Sequence, residues 1–236
     1  MTRRRWIADE VSGNIAVLTG AHADHLSRVL RVRVGQEFDV ATRSEVRRGR
    51  IIRIERGRVE LELGDLVPAT AAPQIVLALS IFKFDRMEWA IEKCTELGVA
   101  QIVPVIAQRT EVHLATAAAK RVERWRRIAR QAAEQSRRSS APEISSPVKL
   151  KDALALAAEA RIFLSESEPA ITLKDALALQ PAGHVVLAVG PEGGWTESEI
   201  KLFREAGWVS ASLGGNILRA ETAAIAALSV VICEPQ

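Results

Sequence analysis

Hydrophobic and polar positions alternate in short runs through the first part of the chain. Residues 58–63 do so most regularly, with Val59, Leu61 and Leu63 set against Glu60 and Glu62. That period of two marks a strand with one buried face. The run 49–55 alternates likewise, Ile52 and Ile54 against Arg53 and Glu55. Further strands are expected over 5–8, 15–18 and 37–42, interrupted by one short helix over 23–30. Short strands in this number predict a small β-barrel. Residues 67–73 (Val-Pro-Ala-Thr-Ala-Ala-Pro) have no period and two prolines. A domain boundary is placed there, giving domains over 1–70 and 73–236.

From Gln74 the rhythm changes to strand, helix, strand, helix. Residues 75–81 are apolar except for Ser80, as for a strand buried on both faces. Residues 85–97 carry Met87, Ile91, Cys94 and Leu97 at helical spacing, and Gly98 ends them. A strand is expected over 102–106 and a long helix over 114–139, with Trp125, Ile128, Ala129 and Ala132 as its buried stripe. Strands over 161–165, 185–189 and 209–213 follow, with a helix over 196–206 and a last one from about Glu221. This alternation predicts an α/β fold: a mostly parallel sheet with helices on both faces.

Composition narrows the class. The chain has 236 residues, 48% hydrophobic and 26% charged, with net charge +3. This excludes a disordered chain, a collagen-like fibre and a disulfide scaffold. Cys94 and Cys233 are too few for a four-cysteine zinc site, and the four histidines lack H-E-x-x-H spacing. No metal site is expected. The longest apolar run, near 223–233, is too short to span a bilayer, and the basic start has no apolar stretch behind it. A soluble, reducing, cytoplasmic setting without a membrane partner is expected.

The charge is unevenly placed. Residues 1–72 hold thirteen Arg, no Lys and ten acids; residues 73–150 hold thirteen bases and eight acids; residues 151–236 hold six bases and eleven acids. A basic first part suits a polyanionic partner. Between Lys120 and Arg138 eight bases face only Glu123 and Glu134. They form either a phosphate-tracking surface or a solvated helix face relieved by a Glu123–Arg127 pair.

Two strand ends carry glycine loops. The apolar run 185–189 leads into Gly190-Pro-Glu-Gly-Gly194, and Thr196 and Glu199 then stand in capping-box register. Ligands of open α/β sheets bind where strands end in such loops, and glycines let the backbone approach a ligand closely. The loop is neither G-x-x-x-x-G-K-[ST] nor G-x-G-x-x-G, and Glu192 would repel a phosphate. By spacing alone a structural turn is the alternative. The second loop, Ser212-Leu-Gly-Gly-Asn-Ile-Leu-Arg219, leads into an Ala-rich helix. There Glu221 or Thr222 would cap the helix, and Arg219 would pair with Glu221 or Glu192. Ala223, Ala224, Ala226 and Ala227 permit tight packing, within the chain or between subunits.

These loops resemble a family. Gly190-Pro-Glu-Gly-Gly194 and Leu218-Arg-Ala-Glu-Thr-Ala223, about 24 residues apart, are similar to the cofactor-loop motifs of the RsmE family. These are SPOUT-superfamily enzymes that methylate N3 of one uridine in 16S ribosomal RNA. His25-Leu-Ser-Arg-Val-Leu-Arg-Val-Arg-Val-Gly35 is similar to the family's N-terminal PUA-like segment. Glu92-Lys-Cys-Thr-Glu-Leu-Gly98 with Pro104, and Ala133-Glu-Gln-Ser-Arg-Arg138 with Pro142, resemble two further signatures. The resemblance covers nearly the whole chain. It implies a PUA-like RNA-binding β-barrel over 1–70 and a SPOUT methyltransferase domain over 73–236 with a C-terminal trefoil knot. It also implies a homodimer acting on 16S rRNA in the 30S subunit. S-adenosylmethionine would lie against Leu187, Gly190, Pro191, Glu192, Gly193, Gly194, Leu213, Gly214, Ile217, Leu218 and Thr222. RNA would be held by Arg28, Arg31, Arg33, Arg127, Arg130, Arg137 and Arg138. The family usually has Pro-Arg where this chain has Gly215-Asn216, which removes a positive charge and loosens the loop. The segment 41–49 also lacks the family's Asp-Gly turn.

N3 of uracil must lose its proton before it can attack a methyl group. Arg219 is the candidate that stabilises charge on the uracil oxygens, and Glu221 is a candidate general base. Rival readings are a non-catalytic RNA-binding assembly protein, a ribose 2′-O-methyltransferase and a nucleotide-phosphate enzyme. Glu192 and the missing loop Lys disfavour the last.

Overall fold

The computed structural model describes residues 5–42, 45–67, 74–136, 138, 140–168, 170–180 and 183–233. Two compact units are present. One comprises residues 1–71 with 133–140; the other comprises 72–132 with 141–236. Apart from Val67, the proposed boundary segment 67–73 lies outside the described residues.

The first unit holds β1 (Arg5–Ile7), β2 (Glu10–Ser12), β3 (Ile15–Thr19), β4 (Glu37–Ala41), β5 (Val46–Glu55) and β6 (Arg58–Leu66). They form one sheet in the order β1-β4-β5-β6-β3-β2. Its pairs are antiparallel except β1 with β4. Val59, Leu61 and Leu63 point inward, as their alternation requires. The β5 pattern differs from expectation: Ile51 is fully buried and Ile52 is 40% exposed. The register against β6 shifts between Ile51 and Arg53. A bulge there reverses the facing, and Ile54 is again packed on the core. The helix expected over 23–30 begins earlier. α1 (Gly20–Asp24) runs into a wide π-type turn, His25–Val29. Its signature is the Leu30 N–H donating five residues back to His25 O, at 3.0 Å. The β4–β5 turn is closed by Thr42 and Glu45 rather than by Asp-Gly, with Thr42 N donating to Glu45 O at 2.8 Å.

The second unit is a parallel sheet between two layers of helices. Its strands are β7 (Gln74–Ser80), β8 (Gln101–Ile106), β9 (Glu143–Ile144), β10 (Val148–Lys149), β11 (Ala160–Leu164), β12 (His184–Val189) and β13 (Val209–Ala211). Their order is β10-β8-β7-β12-β11-β13, with β9 also on β8. The central strand β7 shows why the run is apolar at successive positions. Ile75, Leu77 and Leu79 face one core, shared with α2 (Phe84–Glu96), α3 (Val112–Gln135), α5 (Leu173–Leu179) and α7 (Ala220–Cys233). Val76 and Ala78 face the other, shared with α4 (Leu150–Ala153) and α6 (Glu197–Glu205).

Trp125, Ala129 and Ala132 form the buried stripe of α3 as expected, with Ile128 half-buried beside them. The helix is shorter than the expected 114–139. Glu123 pairs with Arg126 at 2.6 Å, one residue nearer than Arg127. The last helix starts at Ala220, so Glu221 and Thr222 lie inside its first turn and do not occupy the cap position.

Candidate active site

The site is built at the carboxyl ends of adjacent parallel strands, where such sheets bind ligands. β11 ends at Leu164 and leads into Ser165, Glu166 and Ser167. β12 ends at Val189 and leads into the 190–194 loop. β13 ends at Ala211 and leads into the 212–219 segment. That segment carries the chain from the sheet edge back to α7, which packs on β7, β12 and α2. Between these loops lies a cleft of about 310 Å³, within the range of small-molecule sites.

Of the residues expected to hold a cofactor, Gly190, Pro191, Glu192, Gly194, Leu213, Gly214, Ile217 and Leu218 line this cleft. Leu187 does not: it lies in mid-strand, fully buried in the core beneath, because its side chain points at the α2–α7 layer. Gly193 and Thr222 are also outside the lining; Gly193 turns its carbonyl toward Arg109, and Thr222 is exposed in the first turn of α7. Asn216 lines the cleft. The positive φ in that loop falls at Gly214, at 102°, and not at Gly215.

The 190–194 loop is held rigidly. Gly194 has φ 68°, a conformation that favours glycine. A Cβ at Gly193 would stand 3.2 Å from Arg109 Cδ. The Arg109 guanidinium donates through Nη1 to the Gly193 carbonyl, and the same Nη1 lies 3.5 Å from Trp195 O. Trp195 Nε1 donates to Leu164 O at 3.0 Å, tying the loop to the end of β11. Thr196 and Glu199 form the expected capping box at the start of α6. The buried Glu199 carboxylate also accepts Gln108 N–H at 2.8 Å.

Charge in the cleft is predominantly negative. Among the described residues, Glu166, Glu192 and Glu197 line it with one cation, Arg109, whose guanidinium is already turned to loop carbonyls. Leu164, Val189, Ile200 and Leu213 supply apolar wall. The pairing expected of Arg219 is made instead by Arg86. Its Nη1 donates to Glu192 Oε1 at 2.8 Å, and its Nε lies 3.8 Å from Glu221 Oε1. Arg219 is exposed and free of side-chain hydrogen bonds or ion pairs among the described residues. Glu221 is buried, and its Oε2 has no hydrogen-bond partner.

Sequence reasoning missed Arg86, Arg109 and Glu166. For Arg109 and Glu166 a signal existed, since each follows the carboxyl end of a strand in a parallel sheet. Arg86 also follows a strand end, in the first turn of α2 after β7, but nothing in the sequence links it to Glu192, 106 positions away.

The candidate RNA contacts are distributed. Arg28 is exposed and 3.6 Å from Asp24; Arg31 and Arg33 are exposed near it in sequence, Arg31 with φ 48°. Arg127 and Arg130 are exposed on α3. Arg138 is half-buried, and burial pushes its pKa down. Arg137 lies outside the described residues. Among the described residues no group of His, Cys, Asp or Glu could hold a metal ion, and no helix is long and apolar enough to cross a membrane.

This arrangement, a cleft of glycine loops at the ends of parallel strands, has known counterparts. The RNA methyltransferase domain family matches residues 70–232. A ribosomal RNA small subunit methyltransferase E from Synechocystis is 34% identical over 91% of this chain and 71% of its own length. One from Mesomycoplasma hyopneumoniae is 30% identical over 97% and 98%. A crystal structure of the Neisseria gonorrhoeae ribosomal RNA small subunit methyltransferase E, bound to S-adenosyl methionine, superposes with TM-score 0.77. It is 34% identical, covering 97% of this chain and 96% of that one. The chain therefore belongs to the ribosomal RNA small subunit methyltransferase E family, a family of rRNA methyltransferases.

Proposed function

We propose that the chain uses S-adenosylmethionine to methylate N3 of one uridine in 16S ribosomal RNA, in the assembled or nearly assembled small subunit in the cytoplasm. The observation that carries this reading is the convergence of both glycine loops on one acidic, partly apolar cleft. When bound, S-adenosylmethionine supplies a methyl group on a positively charged sulfur. Glu166 and Glu197 favour a cation there by charge, Glu192 being already paired with Arg86; the apolar wall suits an adenosyl group, and the exposed loop backbone offers donors and acceptors to adenine edges.

The target base must be held at near-attack distance, the largest contribution such a site makes. Arg219, with no side-chain partner among the described residues, is placed by sequence directly after the cleft-lining Leu218. It donates to the uracil oxygens as charge builds on them. Glu221 Oε2 is the acceptor the chain offers for the N3 proton. Because Glu221 is buried, reaching it requires the side chain to be uncovered when the substrate binds.

The first unit acts as the PUA-like RNA-binding barrel over 1–70, with Arg28, Arg31 and Arg33 toward phosphates. Arg127, Arg130, Arg137 and Arg138 extend that role. The return of segment 212–219 from the sheet edge supports a trefoil knot in the domain over 73–236. Helix α7 is mostly apolar beyond its first turn, with Ile232 exposed, and on the adjoining α2 Trp89 is exposed. A second copy covering that face makes a homodimer.

The test is incubation with S-adenosylmethionine and small subunits, followed by mass spectrometry of the digested RNA. 3-Methyluridine at one position is expected. An Arg219→Ala protein should bind the cofactor equally well and lose about 10²-fold in kcat, the cost of removing one oxyanion donor. A 2′-O-methylated product, or no cofactor binding in calorimetry, overturns the reading; full activity of Arg219→Ala removes that residue from catalysis.

A further inference from the structure

Arg86 lies outside both glycine loops, in the first turn of α2, yet it meets the cleft-lining Glu192 and the buried Glu221 at the start of α7. Glu192 belongs to the 190–194 loop, and its Oε1 accepts from Arg86 Nη1 at 2.8 Å. Glu221 belongs to α7, just past the 212–219 segment, and its Oε1 lies 3.8 Å from Arg86 Nε. One guanidinium thus ties the 190–194 loop to the first turn of α7. The Glu221 side chain is 7% exposed, and a carboxylate so buried is costly without a cation beside it. Its other oxygen is unpartnered, so Arg86 is its ion-pair partner among the described residues. Without that cation, Glu192 and Glu221 would be two like charges facing one gap. A planar guanidinium presents donors in two directions, which a lysine ammonium does not match.

We propose that Arg86 is a positioning residue for methyl transfer: it fixes the 190–194 loop against α7, and so sets the shape of the cofactor cleft. This rests on the methyl-transfer reading of that cleft. The side chains of Arg86 and Glu192 are about one third exposed, so the pair is partly screened and its loss is moderate.

The experiment is calorimetry of S-adenosylmethionine binding and steady-state kinetics on small subunits, for wild type, Arg86→Ala, Arg86→Lys, Glu192→Gln and Arg86→Ala/Glu192→Gln. Arg86→Ala should raise the cofactor Kd about tenfold, less than truncating one partner of a fully buried charge pair costs, because this pair is partly exposed. Arg86→Lys should raise it less, about threefold, because one carboxylate keeps its cation. In the Glu192→Gln background the same Arg86→Ala change should cost clearly less, since the partners act as a pair. A merely destabilising substitution lowers the active fraction and leaves Kd and KM of the folded molecules unchanged. If Arg86→Ala does not fold, Arg86→Lys decides: a wild-type Kd overturns the proposal. Equal Arg86→Ala effects in the two backgrounds overturn it as well. Failure of the wild type to bind S-adenosylmethionine overturns instead the reading of the cleft itself.

Discussion

Gly194 separates conformational cost from steric cost at the site. A Cβ there would come no closer than 3.5 Å to Glu166 Oε1, an ordinary contact. Its φ of 68° is the penalty: a residue with a side chain pays about 1–2 kcal/mol in the left-handed region. The loop escapes that penalty by shifting toward negative φ, which moves the Gly193 carbonyl away from Arg109. Gly194→Ala should therefore weaken cofactor binding several-fold in calorimetry while changing kcat little at saturation. An unchanged Kd would show that the loop tolerates a side chain there. Gly193 makes the contrasting case, since its added Cβ meets Arg109 Cδ at 3.2 Å and the arginine itself must yield.

At the scale of elements, α6 is the clearest test of local physics. Thr196 Oγ1 accepts from Glu199 N–H at 3.3 Å, and Glu199 Oε2 accepts from Thr196 N–H at 2.9 Å. Thr196→Ala should cost about 1 kcal/mol, which lowers the melting midpoint by about 2–4 °C in a chain of this size. A midpoint within about 1 °C of wild type, the least that a cap loss of about 0.5 kcal/mol would give, would mean the cap adds nothing. This box was legible in the sequence because it is local, three residues apart, as was the inward face of Val59, Leu61 and Leu63. Long elements such as α2 and β7 were equally plain from their period. The two-residue strands β9 and β10 and the short helices α4 and α5 were not. They are too brief to show a period and exist because a sheet edge or a neighbouring helix holds them. The bulge at Ile51 was hidden for a related reason: one extra residue inverts the facing without changing composition. Both glycine loops could be read from sequence, but what holds them could not. Arg86 and Arg109 reach the 190–194 loop from elements more than eighty positions away.

At the scale of the whole molecule, the uneven charge makes a prediction that the net figure of +3 conceals. The last third of the chain, an excess of five acids, contains both loops of the cleft; the first two thirds are basic. RNA affinity should then depend on salt through the basic part while cofactor affinity depends on it little. Each phosphate contact displaces counterions, contributing a slope of about −0.7 to −0.9 in log affinity against log salt. Arg127 and Arg130 are exposed on α3, so replacing both with Gln loses contacts without disturbing a core. That double variant should bind small-subunit RNA more weakly at low salt, with a slope shallower by about 1–2 units, and should keep its Kd for S-adenosylmethionine. Filter binding across a salt series measures the first and calorimetry the second. An unchanged slope would mean that this helix face is solvated and does not touch RNA. A changed cofactor Kd would mean that the two charge regions are coupled, contrary to a division in which one part grips the polyanion and the other the cationic cofactor.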